Sequence, residues 1–573
     1  MMTESNPVDS PESNKPSKLI SVEQKLGSAA SEGADPIKVL FIYPPVRLSA
    51  AARYPPFGFL YLGAVLEQAG IKVEIIDLNL LRLKFDDVMR LVDEKEFDVI
   101  GIGGMTTVYY YMKLLSLHLK KRHPHIPIMG GGSACSSTPH TVLEKTGIDV
   151  VCIGEGEPIV VELVRRLVHK QDLADIPGIV YRDDNGQLHE TKKRPRMMEI
   201  TDLPYPAYHL LDMEHYIKNN AKVYASSPQV WNRVKEAGID PVRAARPVSL
   251  FTKRGCPFGC NFCYRNFGRK VAYSSVDYTL GHMSFLEEKF NTAHFVFNDE
   301  IFNVNTKWVT EFCERIISEG RKYILSTNNG LRANVLDREM LTLMKQAGFC
   351  QVGIGIESFY DPTLKAMRKG QTAEQVYNAL KLTRELGLFI NSAQLLFGYE
   401  TDGRESMEAN VKALTELGFS SANFSIPCPY PGTYLYDIAK ERGLIVDEEG
   451  WLMELADKDI SDRVINLSKM TEEEMEGHIQ WGLDQLNINQ LRSRRPFLAM
   501  VLDRVQPFLR KHLNIDAYGT LAKVWSVVRH GRFPARQESA SRGAHDEHIR
   551  EEAFRLLEEL KAESRPSLAN RVA

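Results

Sequence analysis

Three cysteines stand close together in the segment Cys256-Pro-Phe-Gly-Cys260-Asn-Phe-Cys263. The chain has 8 cysteines in 573 residues, too few for a disulfide scaffold, so this spacing indicates metal ligation in a reducing compartment. A structural zinc ion and a protein-bound [4Fe–4S] cluster each take four ligands. Three thiolates on one loop could therefore leave one iron of a cluster open, or could share a zinc ion with His282 or His294.

The cysteines directly follow the first of six short apolar segments, which alternate with helical patterns. The six predicted strands are Val248–Lys253, Ala293–Asn298, Tyr323–Thr327, Gln351–Ile356, Phe389–Phe397 and Ala422–Ile426. Six consecutive β/α units predict a partial or full β/α barrel, in which the chemistry lies on the loops after the strands. The cysteine loop is therefore expected at the carboxyl end of the first barrel strand.

A second series of alternating strands and helices precedes the barrel. Its predicted strands are Ile37–Tyr43, Val73–Asp77, Asp98–Gly103, Ile126–Met129 and Asp149–Ile153. Several end in glycine-rich loops, namely Gly101–Gly104, Gly130–Gly132 and Gly154–Glu157. Short apolar strands with such loops predict an α/β fold, a Rossmann-like domain whose ligand lies at the carboxyl ends of the strands.

Composition supports this domain organisation and excludes some partners. We predict a disordered tail over 1–36, the Rossmann-like domain over 37–170, a connecting region over 171–245, the barrel over 246–440 and a helical region over 441–573. The net charge is −3, and no uncharged apolar run is long enough to span a bilayer. We therefore expect a cytoplasmic protein that does not bind nucleic acid.

The Cys-x3-Cys-x2-Cys loop, with Phe262 before its third cysteine, resembles that of the radical S-adenosylmethionine (SAM) enzymes. This resemblance implies that Cys256, Cys260 and Cys263 hold a [4Fe–4S] cluster whose open iron is chelated by SAM. It implies that Phe262 lies near the adenine, and that the other SAM contacts come from strand ends: Asp299, Glu300, Ser326, Asn328, Arg332 and Glu357. The sequence Asn298-Asp299-Glu300 departs from the usual Gly-Gly-Glu of the family.

A Rossmann-like domain in front of such a barrel is similar to the cobalamin-binding class of radical SAM enzymes. Matching segments are Tyr43-Pro-Pro45, Tyr54–Gly63, Ile100–Gly104 and Val151–Glu157. The implied cobalamin contacts are Pro45, Gly103, Gly104, Thr106, Gly131, Gly132, Glu155, Gly156 and Glu157. The Asp-x-His-x-x-Gly element of many cobalamin proteins does not occur in 37–170, and Gly131-Gly132-Ser133-Ala134 replaces a common Gly-Gly-x-His. A Rossmann-like domain that binds another ligand, or none, is the alternative.

The family resemblance implies a methyltransferase that acts on an unactivated carbon of a small-molecule or lipid-like substrate. In that reading one SAM methylates cobalamin, a second yields the radical that removes a substrate hydrogen, and a flavodoxin or ferredoxin type of donor supplies electrons. Cobalamin-dependent cyclases share the architecture, so cyclisation or rearrangement without methyl transfer is the main alternative. A carrier that delivers a cofactor to a partner is a third hypothesis.

The C-terminal region carries a basic stretch over 492–536, with ten Lys or Arg residues against two Asp. Such a stretch could contact an anionic membrane surface, or it could form a helical cap whose basic side chains face solvent. Apolar stripes with basic flanks are common on packed helices, so we favour the cap. An amphipathic helix is also predicted over His545–Glu563.

Overall fold

The computed structural model describes residues 36–455 except 47, 49, 329, 391 and 392, together with residues 465–494 and Arg555. The predictions for the tail 1–35 and for the basic stretch beyond residue 494 lie outside the described residues. So does the helix predicted over His545–Glu563, apart from Arg555. None of the helices in the described part combines the length and the apolar character needed to cross a bilayer.

The first sheet has seven strands in the order β2-β1-β3-β4-β5-β6-β7. They are β1 (Lys38–Tyr43), β2 (Lys72–Asp77), β3 (Val99–Gly104), β4 (Ile128–Gly132), β5 (Val150–Cys152), β6 (Ile179–Arg182) and β7 (Leu188–Glu190). The first five are parallel, and β6 and β7 extend the sheet as an antiparallel hairpin. The Rossmann-like fold is therefore confirmed. The sheet continues beyond the predicted boundary at residue 170 as far as Glu190, and the position of the domain boundary stays a prediction.

Helices cover both faces of this sheet, as its continuous apolar strands require. They are α1 (Phe57–Gln68), α2 (Leu78–Leu81), α3 (Phe85–Asp93), α4 (Tyr109–Arg122), α5 (Ser133–Ser137), α6 (Pro139–Lys145) and α7 (Val160–Val168). Successive strand residues point to opposite faces. In β1, Leu40 and Ile42 pack with α3 and α4, whereas Val39 and Phe41 pack with α1 and α7.

The second half forms the predicted partial barrel. Its strands are β8 (Pro247–Leu250), β9 (Lys253–Arg254), β10 (Ala272–Tyr273), β11 (His294–Phe297), β12 (Ile324–Thr327), β13 (Phe349–Val352), β14 (Phe389–Ile390), β15 (Gln394–Leu396) and β16 (Asn423–Ser425). Parallel pairing runs through β8, β11, β12, β13 and β14, and again between β15 and β16. The short antiparallel pair of β9 and β10 closes the cysteine loop.

The helices of this half follow the predicted alternation. They are α11 (Val276–Phe290), α12 (Thr306–Ser318), α13 (Arg338–Ala347), α14 (Asp361–Ala366), α15 (Ala373–Glu385), α16 (Arg404–Glu416) and α17 (Tyr434–Glu441). Before them, the connecting region holds α8 (Met213–Tyr224), α9 (Pro228–Ala237) and α10 (Pro241–Ala244). Val230 and Val234 of α9 pack against Val296, Ile324 and Cys350 of the barrel strands, so the connecting helices cover that face of the sheet.

Two helices of the C-terminal region are described, α18 (Glu448–Leu455) and α19 (Glu472–Arg494). Leu452 of α18 belongs to the core of the first domain, whereas Trp451 and Leu455 pack with the end of the barrel. Glu449 of α18 also pairs with Lys113 of α4. The chain therefore returns to its first domain after completing the barrel.

Two histidines in the core should make the cofactor-free protein sensitive to acid. Burial lowers the pKa of His282 to about 3 and that of His294 to about 4. The unfolded chain takes up these protons near pH 6.5, so unfolding is favoured as the pH falls below that value. At pH 5 each histidine should cost about 2 kcal/mol of stability relative to pH 7.5.

Thermal unfolding of the wild type and of His282→Gln and His294→Gln at pH 5.0 and 7.5 would measure this contribution. Each variant should lose less stability on acidification than the wild type, even if it is less stable at pH 7.5. Asp77, whose burial raises its pKa to about 6, has the opposite pH dependence but is common to all three proteins. Equal acid sensitivity of the three proteins would contradict the assignment.

Candidate active site

The cysteine loop lies between β9 and β10, at the carboxyl end of the first barrel strand. Cys260 is buried, Cys256 is partly buried and Cys263 is exposed, and none of them forms a disulfide. Gly255 introduces the loop at φ +97°, and a side chain there would collide with the carbonyl oxygen of Lys270. The loop is thus held in a compact turn directly after the strand.

Three thiols on one loop are a donor set that fits an iron–sulfur cluster. Burial raises the pKa of Cys256, and the nearby Cys260 adds to this shift, so bound metal is needed to keep Cys256 as a thiolate. Among the described residues, no group of three His, Cys, Asp or Glu side chains is arranged to hold one metal ion. A cubane cluster is larger than one ion, and its thiolate ligands are correspondingly further apart.

The zinc alternative has no support in the described structure, because both candidate histidines have partners in the core. His282 Nε2 lies 3.0 Å from the hydroxyl of Tyr208. His294 Nε2 lies 3.2 Å from Ser326 Oγ, and its Nδ1 lies 3.3 Å from the carbonyl oxygen of Ala244. Neither ring is placed as a fourth ligand beside the cysteines.

Glu300 lies against the cysteine loop and offers a free carboxylate oxygen. Burial raises the pKa of Glu300, and the backbone N–H groups of Gly255, Asn266 and Phe267, together with Arg196, oppose that shift. Its Oε2 atom is buried and has no hydrogen-bond partner. A buried carboxylate oxygen of this kind fits a cation, and the ammonium group of SAM is one.

Arg332 braces the other side of the loop. Its guanidinium lies 3.5 Å from the ring centroid of Phe258, which stands between Cys256 and Cys260. The same guanidinium donates to the carbonyl oxygens of Lys369 and Gly370. The structure therefore gives Arg332 a role in fixing the loop, in addition to the predicted contact with SAM.

Glu357, Phe262 and Lys369 form a second group at this end of the barrel. Lys369 Nζ donates to Glu357 Oε1 at 2.7 Å and lies 6.0 Å from the ring centroid of Phe262. Glu357 adopts φ +63°, a strained conformation for a residue with a side chain, and such strain is concentrated at functional sites. Lys369 follows a helix rather than a strand, so no motif indicated it.

Two of the remaining predicted SAM contacts, Asp299 and Ser326, lie among the barrel strands. Asp299 accepts hydrogen bonds from the backbone of Thr252 and Lys253 and from the Thr252 hydroxyl, at 2.5–3.0 Å, and is 1% exposed. Ser326 faces His294 among the strands. These two predicted SAM contacts therefore have structural partners inside the barrel.

Asn328 faces the first domain instead. Its side-chain amide donates to the hydroxyl of Tyr54 at 3.1 Å and to Asn298 Oδ1 at 3.3 Å, and its oxygen accepts from Tyr224 at 2.8 Å. Tyr54 stands in the loop between β1 and α1 and is 40% exposed. A chain of neutral hydrogen-bonding groups thus runs from the barrel to the edge of the first sheet.

In the first domain, the strand order β2-β1-β3-β4-β5 places the chain reversal between β1 and β3. Ligands of such sheets bind in the crevice outside the carboxyl ends of the strands at this point. Pro45 follows β1, and Thr106 follows β3, where its backbone N–H donates to Ser133 Oγ at 2.7 Å. The crevice is therefore bordered by residues for which the family resemblance implies contact with cobalamin.

The glycines at this crevice have two different roles. A side chain at Gly132, which adopts φ +90°, would collide with the carbonyl oxygen of Gly104, and a Cβ on Gly103 would lie 2.5 Å from the carbonyl oxygen of Gly131. These glycines allow β3 and β4 to end in close contact. A Cβ on Gly131 would meet no atom within 4 Å, so this residue borders open space that part of a ligand could fill.

Glu155 and Glu157 have a partner that the sequence did not indicate. Arg254, two residues before the first cysteine, pairs with Glu157 Oε1 at 2.8 Å and with Glu155 Oε1 at 3.5 Å. A Cβ on the intervening Gly156 would lie 3.0 Å from Leu62. Both carboxylates of this loop are thus turned towards the cysteine loop, and their contact with cobalamin stays a prediction.

Comparison with known proteins agrees with both halves of this site. The B12 binding domain matches residues 43–164, and the Radical SAM superfamily matches residues 250–430. An uncharacterized methyltransferase of Pyrococcus horikoshii is 29% identical over 72% of this chain and 84% of the relative. The anaerobic magnesium-protoporphyrin IX monomethyl ester cyclase of Rubrivivax gelatinosus is 24% identical over 72% of each chain.

A solved structure shares the whole architecture. OxsB, a cobalamin-dependent S-adenosylmethionine radical enzyme with aqua-cobalamin and S-adenosylmethionine bound, superposes with a TM-score of 0.60 at 16% identity. The match covers 91% of this chain and 84% of that chain. The order of the two domains and the fold of each are therefore shared.

Proposed function

The chain belongs to the cobalamin-binding radical SAM enzymes, and we propose that it methylates an unactivated carbon of a small-molecule or lipid-like substrate. Its cofactors are a [4Fe–4S] cluster, SAM and cobalamin. The observation that carries the proposal is the contact between Arg254 and Glu157, which places the cysteine loop beside the loops that end the first sheet. This contact supports the assignment of the cluster and of cobalamin to one site.

Each part of the site has a separate task. Cys256, Cys260 and Cys263 would hold the cluster, and the free oxygen of Glu300 would take the ammonium group of SAM. Glu357, held by Lys369, would add a further SAM contact beside Phe262. The bound cofactors supply the radical and methyl-carrier chemistry, and the protein positions them and excludes water.

The first domain would bind the cobalamin. Gly131 leaves the space in which its nucleotide tail could lie, and Thr106 and Pro45 border the same crevice. The Tyr54 hydroxyl, which contacts Asn328 of the barrel, stands between this crevice and the strand ends. The substrate carbon would therefore be presented at the junction between the two domains.

A radical SAM enzyme acts on a small molecule and needs a reductant. We assign electron supply to a flavodoxin or ferredoxin type of donor, and the reaction to the cytoplasm. None of the three cysteines of the loop forms a disulfide, which agrees with a reducing compartment.

The proposal is tested with SAM that carries a deuterated methyl group. Anaerobically reconstituted enzyme, with hydroxocobalamin and a chemical reductant, is incubated with a metabolite extract, and products are screened for the mass of the labelled methyl group. Transfer of the label, dependent on cobalamin, is the expected result. A control without cobalamin should release 5′-deoxyadenosine but give no labelled product.

Cyclisation or rearrangement is the second candidate, favoured by the similarity to the Rubrivivax gelatinosus cyclase. It would give cobalamin-dependent products without the labelled methyl group, and that result would contradict the methylation proposal. Absence of 5′-deoxyadenosine under all conditions would instead support a role as a cofactor carrier.

A further inference from the structure

The loop that carries the cysteines is tied to the first domain at both of its ends. Arg254 stands two residues before Cys256, and Tyr264 directly follows Cys263. Each of the two side chains contacts a segment that follows a strand of the first sheet: Arg254 the loop after β5, and Tyr264 the helix α5 after β4. The residues between them are therefore held from outside the barrel.

The first tie is a buried ion-pair cluster. Arg254 is 4% exposed, and its partners Glu155 and Glu157 are 7% and 9% exposed. The guanidinium also lies 4.8 Å from the ring centroid of Tyr61 and 5.1 Å from that of Phe267. A buried arginine with two carboxylates and two rings has a strongly defined position, because loss of either partner would leave a charge unpaired away from water.

Arg196 and Met197, which follow β7, contact both Glu155 and Arg254 of this ion-pair cluster. Glu155 Oε2 accepts from the backbone N–H of Met197 at 3.0 Å. Arg196 donates to the carbonyl oxygen of Arg254 at 2.8 Å and lies 3.8 Å from Glu155 Oε2. The segment after β7 thereby links the glutamate loop to the strand that leads into the cysteines.

The second tie is a hydrogen bond at the other end of the loop. Ser137 Oγ donates to the hydroxyl of Tyr264 at 3.1 Å. Gly432 packs over this pair at φ +86°, and a Cβ there would lie 2.8 Å from the Tyr264 ring and 2.9 Å from Ser137 Oγ. The absence of a side chain at Gly432 lets the Pro-rich segment after β16 close over the contact.

Both ties begin in the ligand-binding part of the first domain. Ser137 ends α5, which directly follows the Gly131–Gly132 end of β4, and the two glutamates follow β5. In such sheets the segments that follow the carboxyl ends of the strands border the ligand crevice. The same segments therefore border the cobalamin space on one side and hold the cysteine loop on the other.

We infer that Arg254 and Tyr264 are positioning residues through which cobalamin bound to the first domain orders the loop that holds the iron–sulfur cluster. A ligand that restrains helix α5 after β4 and the loop after β5 also restrains their contacts with Tyr264 and Arg254, and by linkage the ordered cysteine loop favours cobalamin binding in return. The inference rests on the proposed binding of cobalamin in the first domain, and is independent of where the methyl group goes.

The test is hydrogen exchange of the full-length, cluster-free protein with and without hydroxocobalamin, followed in peptides that cover residues 254–264. In the wild type, hydroxocobalamin should slow exchange there by about fivefold or more. Arg254→Gln and Tyr264→Phe should each reduce this effect, and the double variant should abolish it. Arg254→Lys, which keeps the charge but loses the planar fork, should be intermediate.

Matched controls are Arg338→Gln and Tyr360→Phe. Arg338 pairs with Glu385 at 2.8 Å, and the Tyr360 hydroxyl donates to Glu405 at 3.1 Å, both on the exposed side of the barrel. These controls should keep the full slowing. Exchange that is unchanged by hydroxocobalamin in the wild type, or equally slowed in the double variant, would overturn the inference.

Two further measurements, the dissociation constant for hydroxocobalamin and the transfer of the labelled methyl group, distinguish a positioning role of Arg254 and Tyr264 from a general loss of stability and from a failure of the proposed methylation. The dissociation constant for hydroxocobalamin should be lower for the cluster-loaded wild type than for the cluster-free wild type, and equal for the two forms of the double variant. If this coupling is found but no labelled methyl group is transferred, the proposed function fails and the inference stands. If label is transferred without coupling, the reverse holds.

Discussion

Replacement of Cys260 by serine should leave a folded protein with no functional cluster. Iron after anaerobic reconstitution should fall from about four per chain to below one, and release of 5′-deoxyadenosine should fall at least about a hundredfold. Cys260 is the buried member of the triplet, and the Arg332 guanidinium that stacks on Phe258 lies beside it. Serine supplies no thiolate, so one of three protein ligands is lost.

Cys313→Ala is the matched control for this experiment. Cys313 is fully buried, but it lies on the core-facing side of α12 and takes no part in the loop. This variant should lose some stability, as a core truncation does, and should keep its full iron content. Normal iron in Cys260→Ser, or equal loss of iron in both variants, would contradict the assignment of the cluster ligands.

The second large effect concerns two adjacent glycines. Gly132→Ala should destabilise the first domain by about 3 kcal/mol or more, since its positive φ is strained and its side chain would collide with Gly104. Gly131→Ala, one residue earlier, should leave stability within about 1 kcal/mol of the wild type because its side chain enters open space. Thermal unfolding of the cofactor-free proteins measures both.

The same pair of variants tests the cobalamin crevice. If the space beside Gly131 holds part of the cobalamin, the methyl group of Gly131→Ala should weaken hydroxocobalamin binding about tenfold in a protein of normal stability. Equilibrium dialysis gives the dissociation constant directly. If Gly131→Ala binds hydroxocobalamin with unchanged affinity, the space beside Gly131 does not hold the cobalamin.

Most of the strands could be predicted from the sequence within one or two residues. The predicted strand Ile37–Tyr43 is β1 over Lys38–Tyr43, and Ala293–Asn298 is β11 over His294–Phe297. Short apolar runs that end at Gly, Asn or Pro mark buried parallel strands clearly, because both faces of each strand are covered. The strand predicted over Phe389–Phe397 differs, since it is described as β14 and β15 on either side of residues 391–392.

The candidate site was predictable only where local spacing defines the chemistry. The cysteine triplet carries its own signal, whereas the ion pair of Arg254 and Glu157 joins residues 97 positions apart. Nor does the sequence show that the Asp299 carboxylate accepts hydrogen bonds from Thr252 and Lys253, or that Lys369 pairs with Glu357. These contacts depend on how distant segments pack, and no pattern in a single sequence reports that.

Helix α18 bears on how such an enzyme can change over evolutionary time. Leu452 fills the core of the first domain while Trp451, whose indole N–H donates to the carbonyl oxygen of Pro429 at 3.0 Å, is packed with the barrel. A protein made from the first domain alone would lack this helix, and the apolar side chains that contact Leu452 would be exposed to solvent. The two domains of this protein therefore cannot be exchanged independently. A recombination event that replaced the first domain would also need an α18 whose side chains fit the core of the new domain.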